Sequence, residues 1–134
     1  MRKVKVIIET TPNNYSAYLE EVDGFGVTGE SLEAIKERIR SGIDFLIESC
    51  QEDGCEVPQA LQGEYELEYH MDVSSFLRTY SGIITKAGLE RLSGINQKQL
   101  WHYANGTTVP RRKQVQRIEA AVHKLGEELC ALQF

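Results

Sequence analysis

The side chains that could do chemistry in this chain are scattered acids, three cysteines, three histidines and one polar, basic run. Two-metal hydrolysis requires several carboxylates converging on one spot. Glu64, Glu66 and Glu68 instead alternate along an extended segment, which disperses them over an outer face. Glu9 and Asp23 fall near strand ends without a third acid or a histidine base, so no catalytic residue is assigned and no enzyme is expected. Cys50, Cys55 and Cys130 form an odd set with no CxxC pair, which argues against a disulfide framework and a zinc site and predicts free, buried thiols. His70, His102 and His123 show neither HxxxH nor HExxH spacing, so neither a metal nor a cofactor is expected. What remains is Gln97-Lys98-Gln99-Leu100-Trp101-His102, with Lys86 before it and Arg111-Arg112-Lys113 after it. Glutamine suits adenine N6/N7 and lysine suits guanine O6/N7, while clustered cations suit phosphates.

The elements that must position these groups divide by charge. The 134 residues carry a net charge of −5 and a pI near 5.2, which taken whole opposes nucleic-acid binding. Residues 1–72 hold six Lys/Arg against sixteen Asp/Glu, or −10, whereas residues 73–134 hold nine against four, or +5. Two modules are therefore expected, spanning 1–71 and 72–134. With 41% hydrophobic and 26% charged residues, the chain can build a core. The longest apolar run is a few residues, and Met1-Arg2-Lys3-Val4-Lys5-Val6 alternates charge with valine instead of presenting a signal-peptide block. A cytoplasmic location and no membrane partner are expected.

In the acidic module, Val4, Val6 and Ile8 alternate with Lys3, Lys5 and Ile7, and Tyr15, Ala17 and Leu19 alternate with Ser16, Tyr18 and Glu20. Thr11-Pro12-Asn13-Asn14 joins these strands as a hairpin turn. Asp23-Gly24-Phe25-Gly26 reverses the chain into a third strand around Val27. Ser31 caps a helix over 31–52, with Leu32, Ile35, Ile39, Ile43, Leu46 and Cys50 as its apolar stripe. Tyr65, Leu67 and Tyr69 form the inner face of a last strand. The class is α+β, with a three- to four-stranded sheet and one covering helix.

The run from Tyr15 through Asp23-Gly24-Phe25-Gly26, Thr28-Gly29 and Glu33-Ala34 resembles the signature of the HicB antitoxin family, as does Gly54 followed by Val57-Pro58. The resemblance covers residues 1 to about 70. It implies a partial RNase H-like fold without nuclease activity that binds a small, basic, mRNA-cleaving HicA-like toxin. The sequence departs from the family at Phe25-Gly26, where many members carry a cysteine after the glycine, and in its longer link from Glu56 to Gly63. No toxin-contact residue is assigned.

In the basic module the period changes to 3.6. Val73, Phe76, Leu77 and Tyr80 share a helical face with Asp72 or Ser74 as cap, and Ser81-Gly82 closes that helix. Thr85 caps a helix through Leu92, Gly94 supplies a turn, and Asn96 with Gln99 forms a capping box for the next helix, which Asn105-Gly106 ends. The spacing from Leu89 to Leu100, with the exit from Asn105 to Arg111, resembles the helix-turn-helix of phage repressors over residues 73–126. Glu90 departs from that class, which usually has a small residue there. On this resemblance Leu100 and Tyr103 face the core, and Gln97, Lys98, Gln99, Trp101 and His102 lie outside. Gln97, Lys98 and His102 would read bases, while Lys86, Thr107, Arg111, Arg112 and Lys113 would hold phosphates. The last helix, from Arg111 to about Leu132, carries an apolar stripe beyond what a small domain requires, so Leu125, Leu129 and Leu132 form an expected dimer seam.

Together these features predict a type II antitoxin that neutralises its toxin and represses its own operon as a homodimer, or higher even oligomer, on operator DNA. The alternative is a freestanding transcriptional regulator whose N-terminal module binds a ligand or oligomerises. A third reading, an RNase H-type nuclease, would require metal-dependent cleavage that Asp23→Asn abolishes.

Overall fold

Val4, Val6 and Ile8 recur at every second position, so one face of the first strand is buried while Lys3 and Lys5 stay in water. That strand, β1 (Arg2–Thr10), pairs antiparallel with β2 (Tyr15–Leu19), which pairs antiparallel with β3 (Gly26–Gly29). The hairpin closes through Thr11, whose N–H and Oγ1 both donate to the Asn14 carbonyl at 2.8 and 2.9 Å. Gly24, at φ +76°, makes the reversal into β3.

The computed structural model describes residues 1–134 and divides into two compact units, Met1–Asp72 and Val73–Phe134. The chain is α+β, with one four-stranded sheet and five α-helices. No helix is long and apolar enough to cross a membrane.

In the first unit the sheet order is β3-β2-β1-β4, and β4 (Tyr65–Met71) runs parallel to β1. A parallel neighbour requires a crossover, and α1 (Leu32–Asp53) supplies it. The Ser31 hydroxyl accepts from the Ala34 N–H at 3.1 Å, and Gly54, at φ +70°, ends the helix. Ile35, Ile39 and Ile43 are buried against the sheet, with Tyr65, Leu67, Tyr69 and Met71 packed around them. Phe25, at the departure from the HicB pattern, fills the space over Gly42, where an added Cβ would lie 2.8 Å from its ring. Within the long Glu56–Gly63 link, Gln59–Leu61 forms a 3-10 turn that buries Ala60 and Leu61. Of the three thiols expected to be buried, only Cys50 is; Cys55, just past the end of α1, and Cys130, in the last turn of α5, are exposed.

The second unit is helical throughout: α2 (Val73–Thr79), α3 (Lys86–Ser93), α4 (Gln97–Asn105) and α5 (Arg112–Ala131). Leu77, Leu89, Ile95, Leu100, Tyr103, Ala104 and Ile118 form its core. Ser74 is not a cap: its hydroxyl donates to the Ala104 carbonyl at 3.2 Å, tying α2 to α4. Nor does Gly82 close α2 with a left-handed residue; the chain turns through Tyr80, whose carbonyl accepts from Ile83 and Ile84.

Candidate nucleic-acid interface

The pair α3 and α4 is set by its ends. The Thr85 hydroxyl accepts from the Gly88 N–H at 2.9 Å to start α3, and Gly94, at φ +75°, ends it. The Asn96 carboxamide then accepts from the Lys98 N–H at 2.7 Å. This corrects the expected capping box: Asn96 satisfies the second helical N–H, and the partner that reaches back is Glu90, not Gln99. Its Oε1 accepts from the Gln97 N–H at 3.1 Å, so a carboxylate of α3 occupies the positive end of α4. Glu90, the departure from the small residue of repressor folds, thus bridges the two helices.

A second clamp comes from α5. Arg117 donates from Nη2 to the Ser93 carbonyl at 3.0 Å, and Nη1 bonds to Gln114. A Cβ on Gly94 would sit 2.8 Å from that Nη2, so the glycine gives the guanidinium its place as well as permitting the positive φ. At the other end of α4, Arg78 donates to the Ser74 hydroxyl at 2.6 Å and to the Ala104 carbonyl at 3.2 Å. Its positive charge lies where the helix dipole favours it.

Held in this way, α4 presents Gln97 and Lys98 to solvent in its first turn, with Leu100 and Tyr103 buried beneath. Trp101 is 52% exposed. Gln99 and His102, expected outside, are half-buried. His102 sits edge-on to Trp101 with ring centroids 5.2 Å apart, and its Nδ1 is buried without a hydrogen-bond partner. His102 stands at the rim of the buried face, between exposed Trp101 and buried Tyr103. Lys86 is half-buried at the start of α3, and Thr107 is exposed just past Gly106.

Arg111, Arg112 and Lys113 are exposed at the start of α5, where no side chain caps the helix and no acid occupies the first turn. Three cations at the positive end of a dipole repel it, and a bound anion relieves that repulsion. The N-terminus of α4 is already occupied by Glu90. Phosphates therefore fit the start of α5 better than the start of α4.

On α5, Leu125 is half-buried and Leu129 is 57% exposed, while Leu132, 58% exposed, is the C-cap whose N–H donates to the Leu129 carbonyl. Glu90, Arg117 and Arg78 were missed as positioning residues. The available signal was a charged side chain within one turn of a helix end, facing the next element.

On the acidic unit, Glu68 bonds to His70 at 2.5 Å and to Lys3 at 3.5 Å on the outer side of the sheet, and Lys5 pairs with Glu20. The His70 contact, then Lys3, holds the Glu68 carboxyl below the usual carboxylate range. No three His, Cys, Asp or Glu side chains come together as a metal site would require. Phe45, also missed, projects from α1 at 71% exposure. Beside it Asp44, Glu48 and Glu52 form an exposed stripe at four-residue steps, and no basic residue lies in the last turn. No family model, curated protein or solved structure matches this chain.

Proposed function

We propose that this protein is a HicB-like antitoxin whose second unit binds operator DNA through α3 and α4 as a helix-turn-helix, and whose first unit, a partial RNase H-like layer, masks a small basic toxin. The observation that carries the reading is the first turn of α4. Gln97 and Lys98 are exposed on a helix fixed at both ends, in the same unit as the exposed cations Arg111, Arg112 and Lys113 at the uncapped start of α5. Gln97 and Lys98 are the principal base readers, with His102 at the margin, and the basic start of α5 grips phosphate with Lys86 and Thr107 at its flanks. Leu125, Leu129 and Leu132 supply the contact between two copies, which sets two recognition helices on adjacent half-sites.

The toxin-facing part rests on α1. Like charges at four-residue steps cost a helix about 0.2–0.5 kcal/mol per pair, more so at the negative end of its dipole. An exposed aromatic beside that stripe suits a basic partner with an apolar pocket, and complementary charge speeds its encounter. The reading expects a small basic protein to be encoded beside this chain, and co-expression with it is the test. Growth arrest by that protein is expected to be relieved; persistence of the arrest at equal expression removes the masking role. Phe45→Ala is expected to weaken the complex by about 2 kcal/mol, roughly 30-fold in Kd by titration calorimetry, with DNA binding unchanged.

A further inference from the structure

Cys50 and Cys55 lie on either side of the left-handed residue that ends α1. The N–H groups of Gly54 and Cys55 both donate to the Cys50 carbonyl, the latter at 2.9 Å. From standard bond lengths, an N···O contact of that length holds the two Cα atoms within about 6.8 Å, inside the range a disulfide spans. In helix ends of this type the residue after the left-handed position also turns its side chain back onto the last helical turn. The neighbouring Cys55, ahead of burial and the nearby Asp53 charge, pushes the Cys50 thiol above its ordinary value. Their exposures differ, with Cys50 at 8% and Cys55 open to solvent.

We propose that Cys50 and Cys55 are a redox-active dithiol, with Cys55 the attacking and Cys50 the resolving thiol, oxidised by a low-molecular-weight disulfide. The Cys55 thiolate attacks one sulfur of that disulfide, whose S–S bond breaks and expels a thiolate. The Cys50 Sγ, giving up its proton, then attacks the Cys55 Sγ and expels the second. One protein disulfide forms, two small thiols are released carrying the two protons, and two electrons pass from the protein to the reagent. Glu52, Asp53 and Glu56, all exposed around the pair, favour a cationic reagent over an anionic one. The closed ring staples the exit of α1, on the same stripe that buries Ile39 and Ile43 further up the helix.

The test uses the full chain carrying Cys130→Ser, incubated with cystamine, quenched with acid, denatured, alkylated and weighed by mass spectrometry. The expected product has lost two hydrogens, takes up no alkylating reagent, and forms faster with cystamine than with oxidised glutathione. Cys55→Ser, at an exposed position, is expected to leave Cys50 unreacted in the folded protein, and Cys50→Ala to stop at one cysteamine bound to Cys55. A folded protein in which both thiols remain open to alkylation, or in which the mixed disulfide on Cys55 persists with Cys50 present, overturns the proposal.

Discussion

Glu90 joins local sequence to site geometry through one carboxylate. It sits inside α3, yet its bond is to the first N–H of α4, so the angle between the helices depends on a side chain that helical periodicity alone assigns to solvent. Glu90→Ala is expected to cost about 1 kcal/mol in denaturant unfolding, as loss of a helix cap does, and Glu90→Gln to retain most of it. The exposed residues separate by what they would touch. Lys98→Ala is expected to relax preference at one base position, whereas Arg112→Ala weakens binding to all sequences alike and lowers the salt slope by about one unit. Equal losses in the two variants would contradict these roles. On the outer sheet face, the Glu68 carboxyl is depressed by His70 and then by Lys3. A depressed carboxyl adds stability above the unfolded carboxylate range and loses it as pH falls through the folded value. Glu68→Gln is therefore expected to lower the melting temperature at neutral pH, where that contribution is present, and to leave it nearly unchanged in strong acid, so that the acid side of the stability profile in thermal melts is flatter.

The elements were readable where one strong pattern decided them. Alternation in β1 and β2, the isoleucine stripe of α1 and the glycine stops at Gly54, Gly94 and Gly106 all follow from periods and backbone preferences that neighbouring residues determine. The parallel pairing of β4 with β1 was not readable, because strand direction depends on how the crossover packs and not on the strand's own residues. Nor was the Gln59–Leu61 turn, whose apolar residues are too few to show a period. At the candidate site, the outward placement of Gln97 and Lys98 follows from the spacing of Leu100 and Tyr103, while the partial burial of His102 reflects its place at the rim of that buried face, which spacing alone does not resolve. Two substitutions probe the elements. Gly94→Ala is expected to cost about 1–3 kcal/mol, chiefly from the positive φ, with Arg117 displaced from its place, and to weaken DNA binding with it. Ile39→Ala, which empties a fully buried position under the sheet, is expected to cost about 2–5 kcal/mol in denaturant unfolding.

Across the whole molecule the net charge of −5 is an average of two unlike units, −10 over residues 1–72 and +5 over residues 73–134. Opposite surfaces on one chain suit a protein that meets a basic partner with one unit and a phosphate backbone with the other. Association through α5 is expected to be lost in Leu125→Asp/Leu129→Asp, giving a monomer by sedimentation with the helical content unchanged. The most direct measurement is fluorescence anisotropy of the full chain with DNA from upstream of its own gene, against a shuffled duplex of equal length, over a salt series. The account predicts binding to the upstream DNA at least about a thousandfold tighter than to the shuffled duplex, a steep salt dependence, and loss of that ratio in Gln97→Ala/Lys98→Ala. Equal affinity for both duplexes, or no binding to either at low salt, would contradict it.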